Sequence, residues 1–237
     1  MAIGCWETAK KMPNIGIWGL LAGQKRANRD NPPMEFLLII GLALVGLRIV
    51  AIRDTRERIA LLSSHLQRYR IEPRMGQLID GYLRAAGEPD PERAQPVWQT
   101  LAEVEQALAE ELAQLATDLQ AVWGERMRVC RWPVAVPHAT RFFPRAGFDF
   151  RALVHLHAQG FAAVLRNDEA LPPRDRAFRA TAELLLFQHS CHWFCRSRWV
   201  ADGRLLAAHK TPHSQVLASV APATRTDYLA LVNGRNS

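Results

Sequence analysis

The sequence contains little cysteine and little lysine, and each scarcity argues against a class of protein. Its four cysteines are Cys5, Cys130, Cys191 and Cys195. They show no disulfide-framework spacing, and a start at Met34 would leave three of them, as expected in a reducing compartment. Only four of the 30 basic residues are Lys, and the net charge is +7. Because Arg and Ala are abundant throughout, the Arg excess is more typical of a GC-rich genome than of a nucleic-acid-binding face.

The short motifs of common enzymes are also missing. The chain has no GxxxxGKS/T, GxGxxG, GxSxG, HExxH or CxxC sequence, and no paired ExxH of the di-iron bundles. It has no Val- or Ile-rich alternating run long enough for a β-sheet. The sequence therefore predicts an all-α protein and identifies no reaction, so an enzyme is not the favoured interpretation.

One apolar run dominates the chain. Residues 36–52 read FLLIIGLALVGLRIVAI, with Arg48 as the only charge. A helix of this length spans about 25 Å, near the lower limit for crossing a bilayer. Residues 36–47 are apolar on every side, unlike a core helix that faces water, and no small-x-small cleavage site follows. The run predicts a single transmembrane anchor at residues 34–52.

The orientation of this anchor depends on where the native chain starts. A start at Met34 leaves no Lys or Arg before the run, while Arg48, Arg53, Arg56 and Arg58 lie at its C-terminal end. The positive-inside rule then holds residues 53–237 in the cytoplasm, on the inner (cytoplasmic) membrane. With a start at Met1, the rule favours neither orientation clearly. Residues 1–33 show no periodicity and are interpreted as disordered or as an extension before the true start.

Apolar periodicity predicts a helical-bundle-like domain over residues 53–237. The anchor helix is expected to continue to Arg70, and further helices are predicted at 75–86, 91–122, 149–165, 174–199, 213–220 and 224–232. Asp90 and Asp149 are the predicted N-caps of two of them. The helix at 174–199 is expected to be broken by Asp202-Gly203. Three prolines interrupt residues 130–147, which are predicted to form an ordered, packed loop.

The longest predicted helix carries an apolar stripe between residues 97 and 122. Its members recur every three or four residues: Val97, Leu101, Val104, Leu108, Leu112, Leu115, Leu119 and Val122. Most of the charges, Glu111 included, are expected on the other side. Packing within the domain is the favoured interpretation, and homo-oligomerisation through residues 97–122 is the alternative.

The segment His189–Cys195 concentrates possible metal ligands. On a helix, Cys191 and Cys195 share a face and His192 lies beside Cys195. Thiolate and imidazole are ligands that zinc accepts, so these three residues are the candidate metal site. Further ligands would have to come from elsewhere; the candidates are Cys130, His155, His157, His209 and His213.

A structural role explains the same segment. Cys191 and Cys195 lie in a plausible buried stripe with Leu184, Phe187 and Phe194, where a free thiol behaves as a small apolar group. By similar reasoning, His157 is expected in the core. No cofactor is therefore predicted, with zinc as the alternative.

Three functions stay open on the sequence alone. The favoured one is a membrane-anchored module for protein interaction or scaffolding, whose partner the sequence does not name. A metal- or thiol-dependent enzyme or sensor centred on His189–Cys195 is the first alternative. Binding of nucleic acid or anionic lipid through an Arg-rich surface is the second, and within it nucleic acid is the less favoured ligand.

Overall fold

The computed structural model describes residues 34–234, and these fold into nine α-helices and two short strands. The helices are α1 (Met34–Leu66), α2 (Ile71–Gly87), α3 (Pro91–Gln120), α4 (Ala139–Phe142), α5 (Phe150–Arg166), α6 (Pro173–Cys195), α7 (Arg198–His209), α8 (His213–Ser219) and α9 (Pro222–Asn233). The strands are β1 (Arg128–Cys130) and β2 (Gly147–Asp149). They pair antiparallel, with Val129 opposite Phe148. The predicted all-α class is confirmed, with this small sheet as an addition.

The chain divides into two compact units between Val50 and Ala51, inside α1. The described part of the first unit is the apolar half of α1. By length and composition, α1 is long and apolar enough to span a membrane, and none of its most apolar 18-residue window is buried. The helix continues beyond the apolar run as predicted, although α1 ends at Leu66 rather than Arg70. The expectation for residues 1–33 lies outside the described residues.

The second unit has one hydrophobic core, and α6 contributes more buried apolar side chains to it than any other described helix. The stripe on α3 is buried at Leu101, Leu108, Leu112, Leu115 and Leu119, as predicted. α3 packs against α2 and α5. Because the stripe is already covered inside the domain, homo-oligomerisation through residues 97–122 would need another face of α3 and stays a prediction.

Local capping explains where two of these helices begin. The Asp90 side chain accepts a hydrogen bond from the Glu92 backbone N–H at 3.0 Å, and Asp149 accepts one from the Arg151 N–H at 2.9 Å. Each satisfies an N–H that has no partner inside its helix, so both predicted N-caps are confirmed.

The predicted break at Asp202-Gly203 is wrong. α7 runs through both residues, and the chain bends earlier, at Arg196 and Ser197. Ser197 adopts an extended conformation, and its hydroxyl accepts a hydrogen bond from the Val200 N–H, which starts α7. A serine cap therefore sets the boundary, and a single exposed glycine within the helix is tolerated.

The segment 130–147 is ordered but is not packed as predicted. β1 and β2 close its two ends, while its large apolar side chains face outward. Their exposed fractions lie between 38% and 73% for Trp132, Val134, Val136, Phe142 and Phe143. Apolar composition was a poor guide here because hydrogen bonds from arginine side chains hold the backbone, as described below.

Candidate functional site

The most unusual part of the core is a group of polar side chains between α5, α6, α7, α8 and α9. We call this group the polar cluster; its members are His157, Glu183, His189, Ser190, Asp202, His213, Thr224 and Tyr228. α6 provides three of them because it is covered by α5, α7 and α8, so even its polar positions are buried. Buried titratable groups with shifted pKa values are a common sign of function.

His157 and Ser190 form the most deeply buried polar contact in the cluster. Each is 1% exposed, and His157 Nε2 lies 2.9 Å from Ser190 Oγ. Ser190 Oγ donates its only proton to the Leu186 carbonyl at 2.9 Å, so it accepts the hydrogen bond from an Nε2–H of His157. His157 Nδ1 is then an unprotonated nitrogen without a hydrogen-bond partner among the described residues. Burial, aided by nearby His189, lowers the pKa of His157 to about 3.

A second contact connects the buried part of the cluster to the surface. His189 Nε2 lies 2.7 Å from Asp202 Oδ1; the His189 side chain is fully buried, and that of Asp202 is 40% exposed. Burial acts to raise the pKa of Asp202, but the hydrogen bond to His189 and nearby positive charge outweigh it, so the pKa lies below its ordinary value. Asp202 therefore presents a carboxylate to solvent on one side and to an imidazole on the other.

His213 and Tyr228 extend this contact toward α9. The ring of His213 stacks on that of His189 with centroids 4.3 Å apart, and its Nε2 lies 3.2 Å from the Tyr228 hydroxyl. Burial lowers the pKa of His213 to about 4, with a smaller effect of His189. Because His213 is neutral at ordinary pH, the two rings can stack at this distance without repulsion between two positive charges.

Glu183 lies at the far end of the cluster and is 1% exposed. Its Oε1 accepts a hydrogen bond from the Ala221 backbone N–H at 3.0 Å, just before α9 begins. Burial raises the pKa of Glu183 to about 7, against the lowering effects of Ala221, Thr224 and Arg179. The absence of a side chain at Gly160 makes room for it, since a Cβ there would lie 2.9 Å from Glu183 Oε2.

The cluster does not assemble a Ser-His-Asp triad. Ser190 is paired with His157, whose second ring nitrogen has no carboxylate, whereas the carboxylate of Asp202 holds a different histidine. A nucleophile that is 1% exposed also cannot meet a substrate without opening the core. The arrangement is instead suited to joining five helices through polar contacts.

The predicted metal ligands Cys191, His192 and Cys195 all lie on α6, and all three are buried. Burial raises the pKa of the Cys191 thiol well above its ordinary range and that of Cys195 to about 12. Burial also lowers the pKa of His192 to about 4, with smaller effects of Arg204, His189 and His209. Within residues 34–234, no three His, Cys, Asp or Glu side chains are placed to hold a metal ion. Metal binding here would need a rearrangement or a ligand from outside that range, and it stays a prediction.

The other candidate ligands are dispersed. Cys130 is half-buried on β1, His155 is exposed on α5, and His209 pairs with the Gln188 side chain at 3.1 Å. Only His157 and His213 join the polar cluster. The structure therefore groups two of the five additional candidates, and it does so around Tyr228 instead of the cysteines.

Sequence reasoning missed Glu183, Ser190, Asp202, Thr224 and Tyr228. Glu183 did leave a signal, because it is the one charge within residues 180–187, ATAELLLF. A lone carboxylate in such a run is either exposed to solvent or buried with hydrogen-bond partners. Asp202 and Tyr228 left no comparable signal, since their partners are 13 and 15 residues away.

No family model, no curated protein and no solved structure matches this chain. Its function must therefore be inferred from the residues themselves.

Proposed function

We propose that this protein is a single-pass membrane protein whose helical domain, residues 53–237, lies in the cytoplasm and binds another protein as an interaction or scaffolding module. The observation that carries this proposal is the apolar half of α1. Its large side chains from Met34 to Ile52 are between 39% and 86% exposed. A surface of this size and character is stable in lipid and is a liability in water.

The charges next to the anchor support the cytoplasmic orientation. Arg53 and Arg56 are exposed on α1 directly after the apolar run. The three cysteines within residues 34–234 are all free thiols, which agrees with a reducing compartment. Both observations favour the inside of the cell for the domain.

The geometry of the polar cluster supports an interaction module over an enzyme. Its serine and two of its histidines are at most 1% exposed. A groove of about 500 Å³ lies instead on the outer side of α8 and α9, lined by Ala218, Val220, Pro222, Arg225, Thr226, Leu229, Ala230 and Asn233. Arg225 is exposed and has no ion-pair partner within residues 34–234. We assign this groove to an apolar segment of a protein partner that carries a carboxylate for Arg225.

Membrane topology tests the first half of the proposal. The protein should stay with the membrane after an alkaline wash, and a C-terminal alkaline phosphatase fusion should be inactive. Recovery in the wash would overturn the anchor, and an active fusion would overturn the orientation. Arg53→Glu combined with Arg56→Glu removes two of the cytoplasmic charges and should raise phosphatase activity.

Cross-linking in intact cells tests the second half. Ala218→Arg places a long charged side chain in the groove, while Ala208→Arg makes the same change at another exposed alanine, on α7. A partner that uses the groove should be captured by the wild type and by Ala208→Arg but lost in Ala218→Arg. Equal capture by all three would show that the groove is not the binding surface.

A metal- or thiol-dependent enzyme or sensor is the second candidate. It is favoured by the proximity of two thiols and an imidazole on one turn of α6, next to the polar cluster. Elemental analysis of the intact protein purified in detergent separates the two functions. Metal near one equivalent per chain, reduced in Cys191→Ser and in Cys195→Ser, would support the second candidate.

A further inference from the structure

The outward side of residues 131–146, together with Trp199 and Val200 at the start of α7, forms one exposed apolar surface, which we call the loop face. Trp199 is 71% and Phe142 73% exposed. The rings of Trp132 and Phe143 pair at 5.7 Å, and the Trp199 backbone N–H donates to the Pro133 carbonyl at 3.0 Å. These contacts make the face continuous. Contiguous exposed apolar surface of this kind marks an interaction site.

The loop face is displayed by a backbone that is held in place. The Arg131 guanidinium donates hydrogen bonds to the carbonyls of Arg145, Gly147, Leu231 and Val232. The Trp193 indole N–H donates to the Cys130 carbonyl at 3.0 Å. Because these bonds satisfy backbone groups that would otherwise need water, the loop keeps its shape while its aromatic side chains point away from the core.

The charge of the loop face has a single sign. Residues 131–146 contain Arg131, Arg141 and Arg145 and no Asp or Glu. Arg131 is used internally, as described above. Arg141 and Arg145 are exposed, and neither guanidinium forms an ion pair within the part of the chain that the structure describes. The face therefore combines aromatic rings with two available cations, which suits an anionic partner.

The loop is hydrogen-bonded to the part of α1 that belongs to the second unit. Arg58 Nη1 donates to the Arg128 carbonyl at 2.9 Å, and the Arg128 side chain donates in turn to the Pro144 carbonyl. Two hydrogen bonds thus connect Pro144, next to Phe143, with Arg58 on α1.

We infer that the loop face binds the surface of the membrane, with its aromatic rings at the level of the headgroups and Arg141 and Arg145 on anionic phospholipids. The inference depends on the anchor proposed above. Trp is enriched at the membrane–water interface, and exposed basic residues at a membrane surface bind anionic lipid. A protein partner is less favoured because residues 131–146 offer cations and aromatic rings but no Asp, Glu, Asn or Gln for the direct hydrogen bonds of a protein interface.

Photo-cross-linking in the full-length chain tests the inference with a matched pair of positions. Phe143 is 57% and Phe178 53% exposed, and each has an arginine in its vicinity. Phe178 lies on α6, 17 residues before Cys195, or about 25 Å along the helix. We replace each phenylalanine in turn by p-benzoylphenylalanine and reconstitute the protein in phosphatidylcholine vesicles with or without phosphatidylserine.

Irradiation should attach lipid at position 143 and not at position 178, with a higher yield when phosphatidylserine is present. Arg141→Glu combined with Arg145→Glu should lower the yield at 143 at least about threefold on the phosphatidylserine vesicles, while the Lys pair should retain it. Retention after an alkaline wash reports the anchor separately. An anchored chain that attaches no lipid at 143, or attaches it equally at both positions, overturns the inference and leaves the anchor standing. Cross-links from 143 to a protein or to RNA in native membranes, in place of lipid, also overturn it.

Discussion

Arg176 on α6 donates from both terminal nitrogens of its guanidinium to the two carboxylate oxygens of Glu105 on α3, at 2.9 and 3.0 Å. The Tyr82 hydroxyl on α2 donates to the same carboxylate at 2.6 Å. Glu105 is 4% exposed, so one buried charge joins three helices. Burial and the negative charge of Glu105 raise the pKa of Tyr82, which keeps its hydroxyl a donor at all ordinary pH values.

Removing the guanidinium of Arg176 should therefore lower the free energy of unfolding far more than removing the hydroxyl of Tyr82. Arg176→Met keeps most of the aliphatic stem but leaves Glu105 buried and without its cation, at a loss of about 3 kcal/mol in the free energy of unfolding. Tyr82→Phe removes one of three hydrogen bonds, at about 1 kcal/mol. Urea unfolding in detergent measures both. Arg93→Met, on a side chain that is 77% exposed, is the control and should change little; a similar loss in all three variants would contradict the assignment.

The α3 stripe offers a second stability test. Leu112 is 1% exposed, so Leu112→Ala should lower the free energy of unfolding by about 2–5 kcal/mol. Glu103 is exposed on the same helix, and Glu103→Ala should change it by no more than about 0.5 kcal/mol. Equal effects at the two positions would mean that the buried and exposed faces of α3 are assigned wrongly.

Glu111 should not behave as the surface charge expected from the sequence. Its carboxylate accepts the Arg70 backbone N–H at 3.1 and 3.2 Å, at the start of α2, and forms an ion pair with Arg74. Glu111→Ala should lower the free energy of unfolding by about 1–2 kcal/mol, between the values for Glu103→Ala and Leu112→Ala. A change as small as that of Glu103→Ala would show that these contacts do not stabilise the domain.

The ionisation of Glu183 should make stability depend on pH in a defined direction. The pKa of Glu183 rises from 4.5 to about 7 on folding, so its contribution is fully present below pH 4.5 and is lost as the pH rises through about 7. Glu183→Gln keeps the acceptor for the Ala221 N–H but cannot ionise. Between about pH 5 and pH 8, the free energy of unfolding of the variant should rise relative to that of the wild type, by at most about 3 kcal/mol. A difference that does not vary with pH would place the pKa of Glu183 at its ordinary value.

A side chain at Gly160 should destabilise the part of the core around Glu183 and Thr224. A Cβ there would lie 2.5 Å from Thr224 Oγ1, so Gly160→Ala should lower the free energy of unfolding by about 1–3 kcal/mol. Gly203 on α7 has nothing within 4 Å of the corresponding position, and Gly203→Ala should raise it by about 0.5–1 kcal/mol through helix propensity. The opposite signs, read from thermal unfolding, distinguish crowding from propensity; a gain in both variants would contradict the close approach of Thr224.

The rate of thiol alkylation should differ among the cysteines according to their burial. In a Cys5→Ser background, half-buried Cys130 should react first, while Cys191 and Cys195, each 5% exposed, should react only after denaturation. Their raised pKa values also keep the reactive thiolate scarce. Rapid native labelling of either α6 cysteine would show that this turn of the helix opens to solvent.

Much of the fold could be predicted because helix formation and burial follow local patterns. The α3 stripe and the caps at Asp90 and Asp149 were each readable from a few consecutive residues. The outward rings of the loop face were not, because Arg131 holds the loop by bonds to carbonyls up to 101 residues away. Composition showed that these residues were apolar but not that their backbone would be fixed with the rings facing out.

The sequence by itself determined the apolar run at residues 36–52, the all-α class and the apolar face that α3 buries, since side-chain period is a property of a single element. Only the tertiary structure decided which polar groups meet. His157 finds Ser190 across 33 residues, and Glu105 finds Arg176 across 71. A hydrogen bond forms only within about 3 Å, a distance set by how separate helices pack and not by any pattern within one of them.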